Sequence, residues 1–159
     1  LRNGDGPLIL LRADMDALPV EEKADLAYAS KAKQIGEDGK EYPVMHACGH
    51  DTHITSMVGT ARRLAAMKDK WKGTLMFVVQ PAEEGVRGAK AMMEDGLYQR
   101  FGKPDYALAF HVAAELETGK VSASEGIQYS SSDSLDIRVP GIGTHGAAPH
   151  LGRDPVYIA

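Results

Sequence analysis

The chain has 159 residues, about the size of one ordinary domain. With 43% hydrophobic and 25% charged residues it has the balance of a globular protein, which excludes disordered and collagen-like chains. A net charge of −4 leaves no basic footprint for nucleic acid, the longest apolar runs are too short to span a bilayer, and a single cysteine excludes an internal disulfide framework.

The first residue is Leu1 rather than Met, and no signal-peptide pattern follows it. Residues 7–12 (PLILLR) form a short apolar run that reads as a buried strand. Residues 21–43 are polar and turn-rich and read as a long loop or hairpin. Over residues 51–68, Ile54, Met57, Val58, Ala61, Leu64 and Ala65 share one helical face. Residues 73–80 (GTLMFVVQ) are a second buried strand, residues 88–97 a helix ending near Gly96, and residues 106–111 (YALAFH) a third strand. Strand, helix, strand, helix, strand predicts an α/β fold: βαβ units and a mostly parallel sheet with helices on both faces. Residues 120–124 are a further strand candidate. Residues 134–139 (SLDIRV) alternate as a half-exposed antiparallel strand does, which puts a domain boundary between residues 125 and 126. Residues 154–159 (DPVYIA) have the form of a helix start, with an acidic N-cap and Pro behind it. The sequence is therefore read as a segment of a longer protein.

In open α/β sheets ligands sit outside the carboxyl ends of the strands. Three of the strands run into candidate ligands there: Asp14 and Asp16 after the first, Glu83 and Glu84 after the second, His111 after the third. A fourth group, residues 46–53 (HACGHDTH), lies just before the first helix. Cys48 and His50 offer a thiolate and an imidazole two residues apart, both suited to zinc or another borderline divalent ion. His46 and His53 read as supporting or ordinary polar residues. Glu83 and Glu84 are expected to point in different directions, one toward metal and one toward substrate, a division that suits metal-assisted hydrolysis. Asp14 and Asp16 share one side of a pleat and could bind metal or orient a ligand His; a cap or turn is the equal alternative. Residues 141–146 (GIGTHG) match G-x-G-x-x-G literally. Pro149 follows too closely for a helix to open there, so a dinucleotide site is rejected; His145 is left exposed on a Gly-rich turn.

Taken together, the stretches LLRADMDALPVEE, MHACGHDTH, GTLMFVVQPAEEG, AFHV and GIGTHGAAPHLGRDPV resemble the M20 family of metal-dependent peptidases and amidohydrolases. The branch is that of the N-acyl-amino-acid amidohydrolases, such as hippurate hydrolase and N-acetyldiaminopimelate deacetylase. The resemblance implies that Cys48, His50, Glu84 and His111 are metal ligands and that Glu83 is the general base. It makes Asp16, and less directly Asp14, acidic residues that support the ligands. It makes His145 a residue that reaches the active site of a partner subunit and stabilises the tetrahedral intermediate. The implied fold is a zinc-peptidase-like catalytic domain over residues 1–125 and the beginning of an inserted α+β lid and dimerisation domain over residues 126–159, both incomplete.

One or two divalent metal ions are expected, zinc or manganese first, with cobalt or nickel also admitted by the donor set. The expected substrate is an N-acyl amino acid or small peptide, the expected assembly a homodimer, and the expected compartment the cytoplasm, with no nucleic acid or membrane partner. A dipeptidase or carboxypeptidase is the alternative enzyme, and a metal-binding chain without catalysis the alternative class. Two departures stand out. The family's final ligand His lies on a segment this sequence lacks, and residues 32–43 (AKQIGEDGKEYP) are longer than the usual link before MHACGHD, extending a surface loop near the substrate entrance.

Overall fold

A computed structural model describes residues 1–131, 133 and 135–159. The chain divides into two compact units, Leu1–Glu117 and Thr118–Ala159.

The first unit is built on a four-stranded sheet of β1 (Arg2–Asn3), β2 (Leu8–Asp14), β5 (Gly73–Gln80) and β6 (Tyr106–Ala109), in the order β1-β5-β2-β6. β2 pairs in parallel with β5 on one side and with β6 on the other, while β1 runs antiparallel to β5. The two long strands are continuous apolar runs because neighbours on both edges, and packing on the faces, leave little room for polar side chains. Between β2 and β5 come a two-stranded hairpin, β3 (Lys33–Ile35) and β4 (Glu41–Pro43), and the helix α1 (His50–Ala66). The helices α2 (Gly88–Glu94) and α3 (Leu97–Phe101) connect β5 to β6. The first crossover moves along the sheet in one direction and the second moves back over β2. Right-handed crossovers therefore place α1 and the α2–α3 pair on opposite faces. The connections after β2 and β5 leave toward opposite faces, which opens a crevice at the carboxyl ends of this adjacent pair.

The buried apolar core is small: Leu10, Ala13, Met57, Leu75 and Val78. α1 turns inward much of the expected face, with Met57 buried and Ile54, Ala61 and Leu64 half-buried, but rotated toward His50 and His53. Its buried residues are His50, His53 and Met57, whereas Val58 is exposed and Ala65 lies outside. The apolar pattern alone could not show that the first turn buries two imidazoles, since their burial depends on polar partners from other strands. β6 forms where expected, but at the edge of the sheet and with all four residues exposed.

The second unit has little regular structure. Ile142 and Arg153 form an isolated antiparallel bridge, Pro149–Leu151 make a 3₁₀ turn, and α4 (Pro155–Ile158) closes the chain. Asp154 caps α4 by accepting from the backbone N–H groups of Val156 and Tyr157, as its position before Pro155 predicts. Neither additional strand forms among the described residues. Residues 120–124 and 135–139 are not in strands, and an alternating pattern does not by itself place a segment in a sheet. Ser134, the first residue of the second candidate, and Ser132 lie outside the described residues. The boundary expected at residue 126 falls a short way beyond the observed division. Among the described residues no helix is long and apolar enough to cross a membrane.

Candidate metal centre

The polar residues of the first unit converge on His50. This residue opens α1 directly after Gly49, whose φ of 81° is a left-handed conformation suited to glycine. A side chain at Gly49 would also collide with Val112, so the glycine lets the helix start approach the loop that follows β6. The His50 ring is buried, with its Nδ1 3.0 Å from the backbone carbonyl of Asp16 and 3.2 Å from Asp16 Oδ1. Donation from Nδ1 to that carbonyl leaves Nε2 as a lone pair. It faces Asp14 Oδ2 at 3.7 Å, Glu84 Oε1 at 3.7 Å and Glu83 Oε2 at 3.9 Å. It is buried and has no hydrogen-bond partner among the described residues; Asp16 Oδ1 is the other such atom.

Cys48 and His111 stand beside it. The thiol sulfur is 3.3 Å from His111 Nε2, and His111 Nδ1 lies 2.7 Å from the Val112 carbonyl, to which it donates. The second nitrogen of His111 is thereby turned toward Cys48. Donor atoms of Cys48, His50 and His111 all lie within 4.8 Å of one another, as do those of His50, Glu83 and Glu84. The first loop after β2 is tied to the loop after β5 by Asp16 Oδ2, which accepts from the Glu84 backbone N–H at 3.0 Å.

Two features of this cluster differ from expectation. Glu83 and Glu84 do not diverge: both carboxylates approach His50. They sit on a tight turn rather than on the strand, with Val86 N–H donating to the Glu83 carbonyl at 2.8 Å. The turn is flanked by Ala82 at φ 48° and Val86 at φ 53°. Left-handed backbone at a β-branched residue costs about 1–3 kcal/mol and persists only where the surroundings fix it. Its left-handed positions are not glycines, although Gly85 lies within the turn. The second feature is Arg12, which sequence reasoning passed over. Its guanidinium lies 2.7 Å from Asp14 Oδ2 and 4.0 Å from Glu83 Oε1, and its Nε donates to Gln80 Oε1 at 2.9 Å.

Electrostatics follow from this crowding. Burial pushes the Asp14 carboxyl up, but the hydrogen bond from His53 and the attraction of Arg12, His50 and His53 outweigh it and hold the group below its ordinary range. Burial raises the Cys48 thiol, and the neighbouring carboxylates of Glu84, Glu83 and Asp14 raise it further. A buried imidazole lone pair with no hydrogen-bond partner among the described residues, a thiol and several carboxylates converge on one spot. That convergence is the pattern of a cation site, and its mixture of sulfur, nitrogen and oxygen suits a borderline divalent ion.

Beside the cluster a cleft of about 880 Å³ runs between the β3–β4 hairpin and the turn after β5. Its walls include Leu18, Ile35, Tyr42, Val44 and Ala82, with Asp16 and Glu84 at its inner side. Arg87 and Glu37 form an ion pair between its two walls. His145 belongs to the second unit, where it is exposed and its Nδ1 accepts from the Ala147 N–H at 3.1 Å.

A parallel sheet with acidic, imidazole and thiol groups gathered at its carboxyl edge defines a candidate metallohydrolase centre. The chain belongs to peptidase family M20/M25/M40, whose sequence profile matches residues 10–155. It is 45% identical over 149 residues to a hippurate hydrolase of Campylobacter jejuni, covering 94% of this chain and 36% of that protein. It is 40% identical over 159 residues to thermostable carboxypeptidase 2 of Saccharolobus solfataricus, covering 99% of this chain and 37% of that protein. Among solved structures it resembles a dinuclear metal-binding M20 peptidase from Bacillus subtilis, with a TM-score of 0.61 and 39% identity over 72% of this chain and 29% of that one. The chain thus spans little more than a third of the length of these curated relatives.

Proposed function

We propose that this protein is a metal-dependent hydrolase that cleaves the amide bond of N-acyl amino acids. The observation that carries this reading is the buried, unpartnered Nε2 of His50, ringed by carboxylates and adjoined by Cys48 and His111. Cys48, His50, Glu84 and His111 would hold one or two divalent ions, zinc or manganese first, and Asp14 and Asp16 support them. When bound, such an ion supplies Lewis acidity toward the scissile carbonyl and acidifies water.

Glu83 serves as general base. It takes a proton from the attacking water at its carboxylate and returns it to the leaving amine. The Arg12 guanidinium lies 4.0 Å from that carboxylate, on the side toward Asp14. The cleft between the hairpin and the turn after β5 takes the acyl group. Its walls are largely apolar, and its cation, Arg87, is already engaged by Glu37, so a free carboxylate fits less well there. His145 of the partner subunit, in a homodimer built through the second unit, donates to the developing oxyanion; such a donor contributes roughly 3 kcal/mol in the transition state. A cytoplasmic location accords with a cysteine that must remain reduced.

The test is Glu83→Gln. Metal content should be unchanged while turnover of N-acetyl and N-benzoyl amino acids falls by about 10²–10⁴. Retained turnover would refute the role of Glu83. A carboxypeptidase is the second reading, favoured by the similarity to the Saccharolobus carboxypeptidase. Faster hydrolysis of dipeptides than of N-acyl amino acids in the same panel would select it.

A further inference from the structure

We propose that His53 is a positioning residue that aims His111 at the metal centre by clamping the backbone of Val112; the proposal rests on the ligand assignment given above. His53 is 0% exposed and lies three residues after His50 on α1. Both its nitrogens are committed. The Val112 backbone N–H donates to Nε2 at 3.0 Å, which fixes that nitrogen as an acceptor. Nδ1 therefore carries the proton and donates to Asp14 Oδ1 at 2.5 Å. With both nitrogens occupied, His53 has no lone pair to offer a metal, although its ring lies within reach of His50 and Asp14.

The effect falls on the next residue. Val112 gives its N–H to His53, and its carbonyl accepts from His111 Nδ1 at 2.7 Å. The backbone of one residue, Val112, is thus held at its N–H from the helix side while its carbonyl, in the next peptide group, holds the ligand ring. The His53 ring also packs edge-on against His111, with centroids 4.7 Å apart, and against Phe110 at 5.2 Å. The segment needs such an anchor. It follows a four-residue edge strand with every residue exposed, and among the described residues it has no strand on its outer side. The chain of contacts runs from Asp14 on β2 through His53 on α1 to the loop after β6, and so links three of the four segments that carry the centre.

Two isosteric variants divide this chain. A carboxamide at the δ position can keep the Asp14 contact but cannot reach Val112, so His53→Asn cuts the clamp. A carboxamide at the ε position can still accept from Val112 but releases Asp14, so His53→Gln keeps it. The first measurement is hydrogen exchange of the Val112 amide in the metal-free chain. Exchange should be about tenfold faster in His53→Asn and near the parent rate in His53→Gln. The second is cobalt titration, read by the thiolate-to-cobalt charge-transfer band of Cys48. Affinity should fall about 10–100-fold in His53→Asn and be largely restored in His53→Gln. Thermal unfolding of both variants accompanies these measurements. Unchanged Val112 exchange in His53→Asn overturns the clamp. So does an affinity loss that follows the drop in melting temperature equally in both variants. If the parent chain shows no thiolate–cobalt band, the ligand assignment fails instead, while Val112 exchange still decides whether the clamp exists.

Discussion

Asp14→Asn removes one charge from the most enclosed part of the structure, and its cost can be worked from the contacts. Asp14 is 0% exposed. One carboxylate oxygen accepts from His53 at 2.5 Å and the other from Arg12 at 2.7 Å. A hydrogen bond involving a charged group contributes about 1.5–3 kcal/mol. A carboxamide has one acceptor and one donor end, so whichever way it turns, its NH₂ meets an N–H. One charge-assisted bond is lost and the other becomes neutral on one side. We expect a loss of about 2–4 kcal/mol, below the cost of removing a buried partner outright. In a urea titration with a slope of about 2 kcal/mol per molar, the midpoint should fall by about 1–2 M. The pH dependence provides a second reading. The folded-state pKa of Asp14 lies below its ordinary 3.8, so its contribution is fully present above that value and is lost as the pH falls through the folded one. The gap between parent and variant should therefore narrow on acidification below about pH 4. A difference under about 1 kcal/mol at neutral pH, or a gap that stays constant into acid, would refute this account of the network.

Three further outcomes are expected. The Cys48 thiol of the metal-free chain should react with iodoacetamide more slowly at neutral pH than an unhindered cysteine, with an apparent pKa above 9.0; a value below that would contradict the effect of burial and of Glu84. Ile35→Ser, on the hairpin wall of the cleft, should raise KM for N-benzoyl amino acids by about tenfold while leaving N-acetyl substrates and kcat nearly unchanged. Equal effects on both substrates would place the acyl group elsewhere. Met57→Ala, at a core position that is 8% exposed, should destabilise the chain by about 2–4 kcal/mol in the same urea titration; a cost under about 1 kcal/mol would mean that α1 is not anchored there.

The sequence was most legible where one physical demand dominates. β2 and β5 are unbroken apolar runs because a parallel strand is covered on both faces, and their ends could be placed to within two residues. Asp154 followed by Pro155 announced the last helix through local capping chemistry alone. β1 was missed because Arg2 and Asn3 carry no hydrophobic signal; their ladder is made by backbone, continued by the Leu1 nitrogen donating to the Leu75 carbonyl. The alternation at 134–139 misled in the opposite way, since period two describes a face but supplies no neighbour. In the candidate centre the residue types were readable, but the division of labour among them was not. His53 looked ordinary because its partners, Asp14 and Val112, lie 39 and 59 residues away. The strained turn around Glu83 and Glu84 was hidden because Ala82 and Val86 are residues from which positive φ is not expected.

The crevice between β2 and β5 has a consequence for how this chain is made. Asp14, Cys48, Glu84 and His111 come from four segments, and the contact between Cys48 and His111 spans 63 residues. The longest local contribution is the Cys48–His50 pair, two of the candidate ligands, so nascent or partly unfolded chains would hold divalent ions more weakly than the assembled centre. Ion capture is then coupled to completion of the sheet rather than to any early helix or hairpin. At an ion concentration 100 times the dissociation constant, that coupling returns about 2.7 kcal/mol to the finished fold. With the centre loaded as proposed, metal supply would favour chains whose last parallel strand has docked.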